Sequence, residues 1–150
     1  MEVDMKRAVV LGLLFVCIPC MVLAGGAKEE RYVSKENGVV TDIWYGLEWV
    51  AGPNEPTNFY EAVSWVENLT VDGGGWRLPT LDELQSLYHK GMGSRNMPPL
   101  LKTTGWWIWS GKERGRQSAW LFGCRRASEG WSHKNLKSSK RAFAIRSILE

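Results

Sequence analysis

Gly73-Gly74-Gly75-Trp76-Arg77-Leu78-Pro79-Thr80-Leu81-Asp82-Glu83-Leu84 reads as a corner, a short strand and the start of a helix. Three consecutive glycines accept turn conformations that a Cβ opposes. Pro79 steers Leu78 out of the α region, so Trp76-Arg77-Leu78 is expected to be extended. Thr80 is placed to cap a helix. Glu83, three residues on, completes a capping box by reaching back to the Thr80 amide. Leu81, Leu84, Leu87 and Tyr88 then fall at helical spacing, which predicts a helix from Leu81 to about Tyr88.

Working outward, Asn37-Gly38 is a turn signal before the β-branched run Val39–Ile43, and Gly46 turns the chain into Leu47-Glu48-Trp49-Val50. Two short strands around a turn predict a hairpin. After the loop Gly52–Pro56, Thr57 can cap a second amphipathic helix carrying Phe59, Ala62, Val63, Val66 and Leu69, its apolar face widened by Trp65. Gly91–Gly105 is a long irregular stretch, a length at which loops are usually functional or mobile. Trp106–Ser110 and Ser118–Cys124 read as strands, Arg125–Lys140 carries no clear element, and Arg141–Ser147 closes the chain as a strand with Phe143 and Ile145 on one face. Two early helices with short antiparallel strands define an α+β domain.

A chain of 150 residues has room for one such domain. Lys6 and Arg7 precede an apolar run, Val9–Val22, that is short for a bilayer span and ends Val22-Leu23-Ala24. Residues 1–24 therefore read as a signal peptide, with an uncleaved membrane anchor as the alternative. Residues 25–35 are charged and aperiodic and read as a linker, leaving 36–150 as the domain. Export would place the protein in the periplasm, at the cell surface or outside the cell. Contact with the membrane would then come through the signal segment alone, if uncleaved. Cys17 and Cys20 fall within that segment, so Cys124 is left without an internal partner. It reads as a buried small hydrophobe or, alternatively, a reactive thiol or a partner in an intermolecular disulfide.

Charge is distributed unevenly. Gly25–Leu100 holds six Lys/Arg against eleven Asp/Glu (−5), and Leu101–Glu150 holds eleven against three (+8). The first 24 residues balance, so −5 and +8 give the net +3. A basic second half suits an anionic partner or an acidic face elsewhere on the same protein.

Four pieces taken in order resemble the Lcl C-terminal domain family. They are Asn37–Asp42 with Gly46-Leu47-Glu48-Trp49, Gly75–Thr80 with Glu83-Leu84, Trp107-Ile108-Trp109-Ser110, and Arg141–Arg146. The resemblance spans Tyr32–Ser147. It implies a C-type-lectin-like fold, related to the sulfatase-modifying (formylglycine-generating) domain, in a bacterial exported protein. The family's name-giving member is similar to an adhesin that binds sulfated polysaccharides. The resemblance carries no functional residue onto a position of this chain.

The residues themselves point away from catalysis, because an enzyme needs positioned acids, bases or nucleophiles. His89 and His133 lack Cys/His neighbours at zinc spacing, so no metal and no cofactor is expected. Formylglycine-generating chemistry would need a cysteine pair, and calcium-dependent sugar binding would need clustered oxygen ligands. Glu55-Pro56-Thr57-Asn58 reads as a turn and helix cap instead.

The aromatic and basic residues carry the binding hypothesis. Trp49, Trp65, Trp76, Trp109 and Trp120 sit within predicted elements and are expected in the core. Trp131 stands in the polar stretch Ser128–Ser132 and is the aromatic candidate for a sugar face. Arg114, Arg116, Arg125, Arg126, Lys134, Lys137 and Lys140 join it as a candidate polyanion patch, since Arg forks match sulfate, phosphate and carboxylate geometry. Arg77 and Arg146 are expected in ion pairs. The sequence thus predicts a non-catalytic exported module binding an anionic, sulfated or uronic, polysaccharide or another envelope polyanion. Export disfavours nucleic acid. The alternative is a structural or protein-interaction module with no small ligand, its cations forming an ordinary solvated face.

Overall fold

A computed structural model describes residues 30–148. The expected signal segment lies outside the described residues. The described chain is α+β, with strands β1 (Tyr32–Ser34), β2 (Val40–Asp42) and β3 (Leu47–Ala51), helices α1 (Phe59–Glu67) and α2 (Leu81–Leu87), and strands β4 (Trp107–Arg114), β5 (Ser118–Gly123), β6 (Ser128–His133), β7 (Lys140–Arg141) and β8 (Phe143–Ser147). They build two four-stranded sheets, ordered β1-β2-β3-β8 and β6-β5-β4-β7. Every pairing is antiparallel except that of β4 with β7. The chain passes from one sheet to the other at Ala142, whose carbonyl accepts a hydrogen bond from the Gly52 amide at 2.9 Å.

The corner-strand-helix block forms as its residues dictate. Gly73, Gly74 and Gly75 all take positive φ, between 78° and 89°, where an L side chain is strained. Arg77 then pairs with Ile145 of β8 through 3.0 and 2.9 Å backbone bonds. Thr80 Oγ1 accepts from the Glu83 amide at 3.1 Å, and Glu83 Oε2 accepts from the Thr80 amide at 2.8 Å. Both amides would otherwise be orphans of the first turn. The first helix uses the same device one residue later than the sequence suggests. Asn58, not Thr57, is its cap, with Glu61 closing the box. Thr57 instead donates its hydroxyl to the Glu55 carbonyl.

Side-chain alternation along the strands separates the helices. Ile108 and Phe122 join Leu81, Leu84 and Leu87 of α2, together with Trp49, Phe143 and Ile145. Trp109, Leu121 and Ala119 meet Phe59 and Ala62 of α1. Ala144 packs with Val39, Val66 and Trp76. Burying each large apolar side chain contributes about 1.5–3 kcal/mol. Trp49 and Trp109 are fully buried and Trp76 nearly so, while Trp65 and Trp120 are half-buried at the margins of these clusters.

Three expectations need correction. Residues 32–34, read as linker, form the edge strand β1, tied down because Arg31 makes a bidentate pair with the fully buried Asp42 (3.0 and 2.6 Å). Ser128–His133, read as irregular, is strand β6 along the whole of β5. Its half-polar pattern is that of an edge strand with one solvated face. The strands are not uniformly antiparallel, since β7 runs parallel to β4.

Candidate functional site

Trp107 lies opposite Gly123 of β5, and Gly130 of β6 lies one strand further out, opposite Leu121. All four positions share one face of the sheet by the two-residue period of a strand. The Trp107 ring lies across the bare backbone of both glycines. A Cβ added at Gly123 or Gly130 would approach the ring to 2.8 or 2.9 Å. This is the close approach that a glycine inside a strand often marks.

Two hollows adjoin at that ring. One is bordered by Trp107, Leu121, Gly130, Trp131, Ser132, Ser138, Ser139 and Lys140. The other is bordered by Trp106, Trp107, Gly123, Arg125, Arg126, Ser128 and Ser139. They share Trp107 and Ser139 and so form one groove over the β4–β5–β6 face. No Asp or Glu lines either part.

Four of the residues expected from sequence meet here: Arg125, Arg126, Trp131 and Lys140. Arg125 and Arg126 are exposed in the turn between β5 and β6. The Arg125 guanidinium stacks over the Trp106 ring at 4.6 Å, and Arg95 lies over the same ring at 4.2 Å. Stacking fixes a guanidinium's plane while leaving its N–H groups free to donate. Among the described residues neither Arg125 nor Arg126 is paired with a carboxylate. Lys140 is the register partner of Trp107 and is 8% exposed. Burial pulls its ammonium below the ordinary lysine value.

The other expected residues lie elsewhere. Lys134 is buried and pairs with Glu113 at 2.5 Å above the Phe59 ring. Lys137 pairs with Glu61 of α1. Both cations are spent on fastening the 134–140 segment to its neighbours. Arg116 is exposed in the β4–β5 turn, at the opposite end of β5 from Arg125. Arg114 stacks on Trp131 at 4.1 Å, so the Trp131 face is already partly covered. Trp131 is 49% exposed and belongs to a strand rather than a loop.

Trp107 and the serines at 128, 132, 138 and 139 are not among the site residues expected from sequence. The available signal was glycine within two adjacent strands beside a tryptophan-rich strand. A separate hollow bordered by Tyr60, Gln117, His133, Asn135 and Leu136 contains no Arg or Lys.

Two further arginines form ion pairs that hold the fold. Arg146 bridges Glu48 at 2.6 Å, and Arg77 bridges Glu83 at 2.6 Å. Burial favours the neutral form of Glu48, but Lys35 and Arg146 outweigh it and hold the carboxyl below its usual range. Cys124 is buried beneath the Trp106 carbonyl, and burial pushes its thiol up. A raised thiol is a poor nucleophile. Among the described residues no three His, Cys, Asp or Glu converge to hold a metal ion, and no helix is long and apolar enough to cross a membrane.

The family model of the Lcl C-terminal domain matches residues 38–146, and the chain belongs to that family. A search of curated proteins finds no match.

Proposed function

We propose that the protein is a non-catalytic exported binding module, built on a C-type-lectin-like scaffold, that recognises an anionic polysaccharide, sulfated or uronic. The observation carrying this reading is the acid-free groove in which Arg125, Arg126 and Lys140 border the flat Trp107 ring. Guanidinium forks match sulfate and carboxylate geometry, and an indole face supports the apolar side of a sugar ring. The reading needs no cofactor and no nucleophile.

Retention on heparin-agarose at physiological salt tests it. The protein should elute later than a neutral control. The double variant Arg125→Gln/Arg126→Gln should elute earlier, with a shallower dependence on salt, because fewer counterions are exchanged on binding. Elution of the unaltered protein with the neutral control defeats the proposal.

A protein-interaction role is the second reading. It is favoured by the β2–β3 turn, where Ile43, Trp44 and Tyr45 are 45%, 64% and 59% exposed in a row. Adjacent exposed apolar side chains of this size are a feature of contact surfaces.

A further inference from the structure

Lys140 is a cation set into a mostly covered position beside the groove. Its stem is covered, but its ammonium is not among the fully buried polar atoms that lack a partner, so the charge keeps contact with solvent. Among the described residues no carboxylate and no hydrogen-bond acceptor engages its ammonium. Its ammonium lies 6.0 Å from the centre of the Trp109 ring, at the outer limit of a cation–π interaction. A methionine of similar length would fill the same space with no charge to desolvate. The sequence instead keeps a cationic residue at the wall of a hollow bordered by three serines, Ser132, Ser138 and Ser139.

The surroundings define what could satisfy it. β7 lies parallel to β4, with Lys140 beside Trp107. Their backbones are neighbours across that ladder, and both residues border the same hollow. The arginine pair occupies the other part of the groove, beyond Trp107. The lysine hollow therefore gathers one cationic residue, three serines and an aromatic wall around a single depression.

Resting on the polysaccharide reading, we propose that this hollow is a single-anion subsite. It takes the carboxylate or sulfate of one pyranose unit whose face lies against Trp107, with Lys140 as the charge partner and the serine hydroxyls as additional donors. Arg125 and Arg126 engage the neighbouring part of the chain. The subsite gives the groove a preference for one correctly placed anion, beyond a general attraction to polyanions.

Monosaccharide titrations followed by tryptophan fluorescence test this, with glucuronate, glucose 6-sulfate and neutral glucose as probes. One or both anionic sugars should bind about tenfold or more tightly than glucose, as expected for a charge-assisted bond. Glucuronate and glucose 6-sulfate distinguish a carboxylate from a sulfate subsite. Lys140→Met should remove the preference while the protein remains folded by circular dichroism. If that variant does not fold, Ser132→Ala/Ser139→Ala should reduce the same preference. A preference that survives in Lys140→Met, or equal affinity of all three sugars for the unaltered protein, overturns the subsite. Heparin retention reports independently on the wider reading. Retention without monosaccharide preference removes the subsite and leaves the polysaccharide groove. Preference without retention supports the subsite and removes the polysaccharide.

Discussion

Replacing Gly130 with alanine would place a Cβ 2.9 Å from Cζ3 and 3.1 Å from Cη2 of Trp107. Carbon atoms settle about 3.5–4.0 Å apart, so the ring must lift by roughly 0.5–1 Å. Sliding toward β5 is limited because the ring already lies close over the bare Gly123 backbone. The strain falls on Trp107 itself and on the β5–β6 ladder. Overpacking of this kind costs about 1–3 kcal/mol. Trp107 is half-buried and can yield toward solvent, which favours the lower half of that range, about 1–2 kcal/mol. Urea unfolding of Gly130→Ala should show a lowered midpoint at an unchanged slope, since the surface exposed on unfolding is nearly the same. The Trp107 indole N–H resonance should shift, and heparin retention should weaken because the floor is no longer flat. An unchanged midpoint together with an unshifted indole signal would refute the idea that bare backbone seats the ring.

Other perturbations test the frame that holds the groove. Asp42→Asn leaves Arg31 facing a neutral group at a fully buried position. Breaking such pairs costs about 3–5 kcal/mol, and the partial exposure of Arg31 favours about 3 kcal/mol, read by urea unfolding. Thr80→Ala removes the cap of α2 and should cost about 1 kcal/mol, with Thr80→Ser restoring most of it in the same assay. Glu48 has a folded-state pKa below its ordinary value. Its stabilisation is therefore complete above the unfolded carboxylate range, near pH ~4.3, and is lost as pH falls through the lower folded value. Urea midpoints of Glu48→Gln, measured across that acid limb, should fall less steeply than those of the unaltered protein. An equal slope would mean that Glu48 does not drive the acid transition.

Local grammar made the fold legible wherever one residue type had one physical solution. Three positive-φ glycines, a proline and a capping box fixed the corner and α2 from sequence. The β2–β3 hairpin and the closing strand followed from turn residues and alternation. Legibility failed where partners are distant in sequence. The edge strand β1 exists because Arg31 finds Asp42, and the irregular pattern of Ser128–His133 becomes a strand because β5 offers a free edge. Cap placement shifted by one residue because Thr57 and Asn58 are both competent caps, and the Thr57 amide is taken by the Lys140 carbonyl at 3.1 Å.

Site legibility divided along the same line. Charge counting found Arg125, Arg126 and Lys140 without showing that they share a groove. The same count placed Lys134 and Lys137 with them, although each is held by a carboxylate. An acid partner such as Glu61, 76 residues away, leaves no trace in a local window. Trp107 was hidden because its role depends on the absence of side chains on two other strands. Absences become visible once register is known.

Amide and indole NMR of the protein titrated with a heparin-derived tetrasaccharide tests the central claim most directly. Concerted shifts at Trp107, Arg125, Gly130 and Ser139, weakening as salt is raised, are predicted for binding in the acid-free groove. Shifts confined to the Ile43–Gly46 turn, or none at a tetrasaccharide excess, would contradict it.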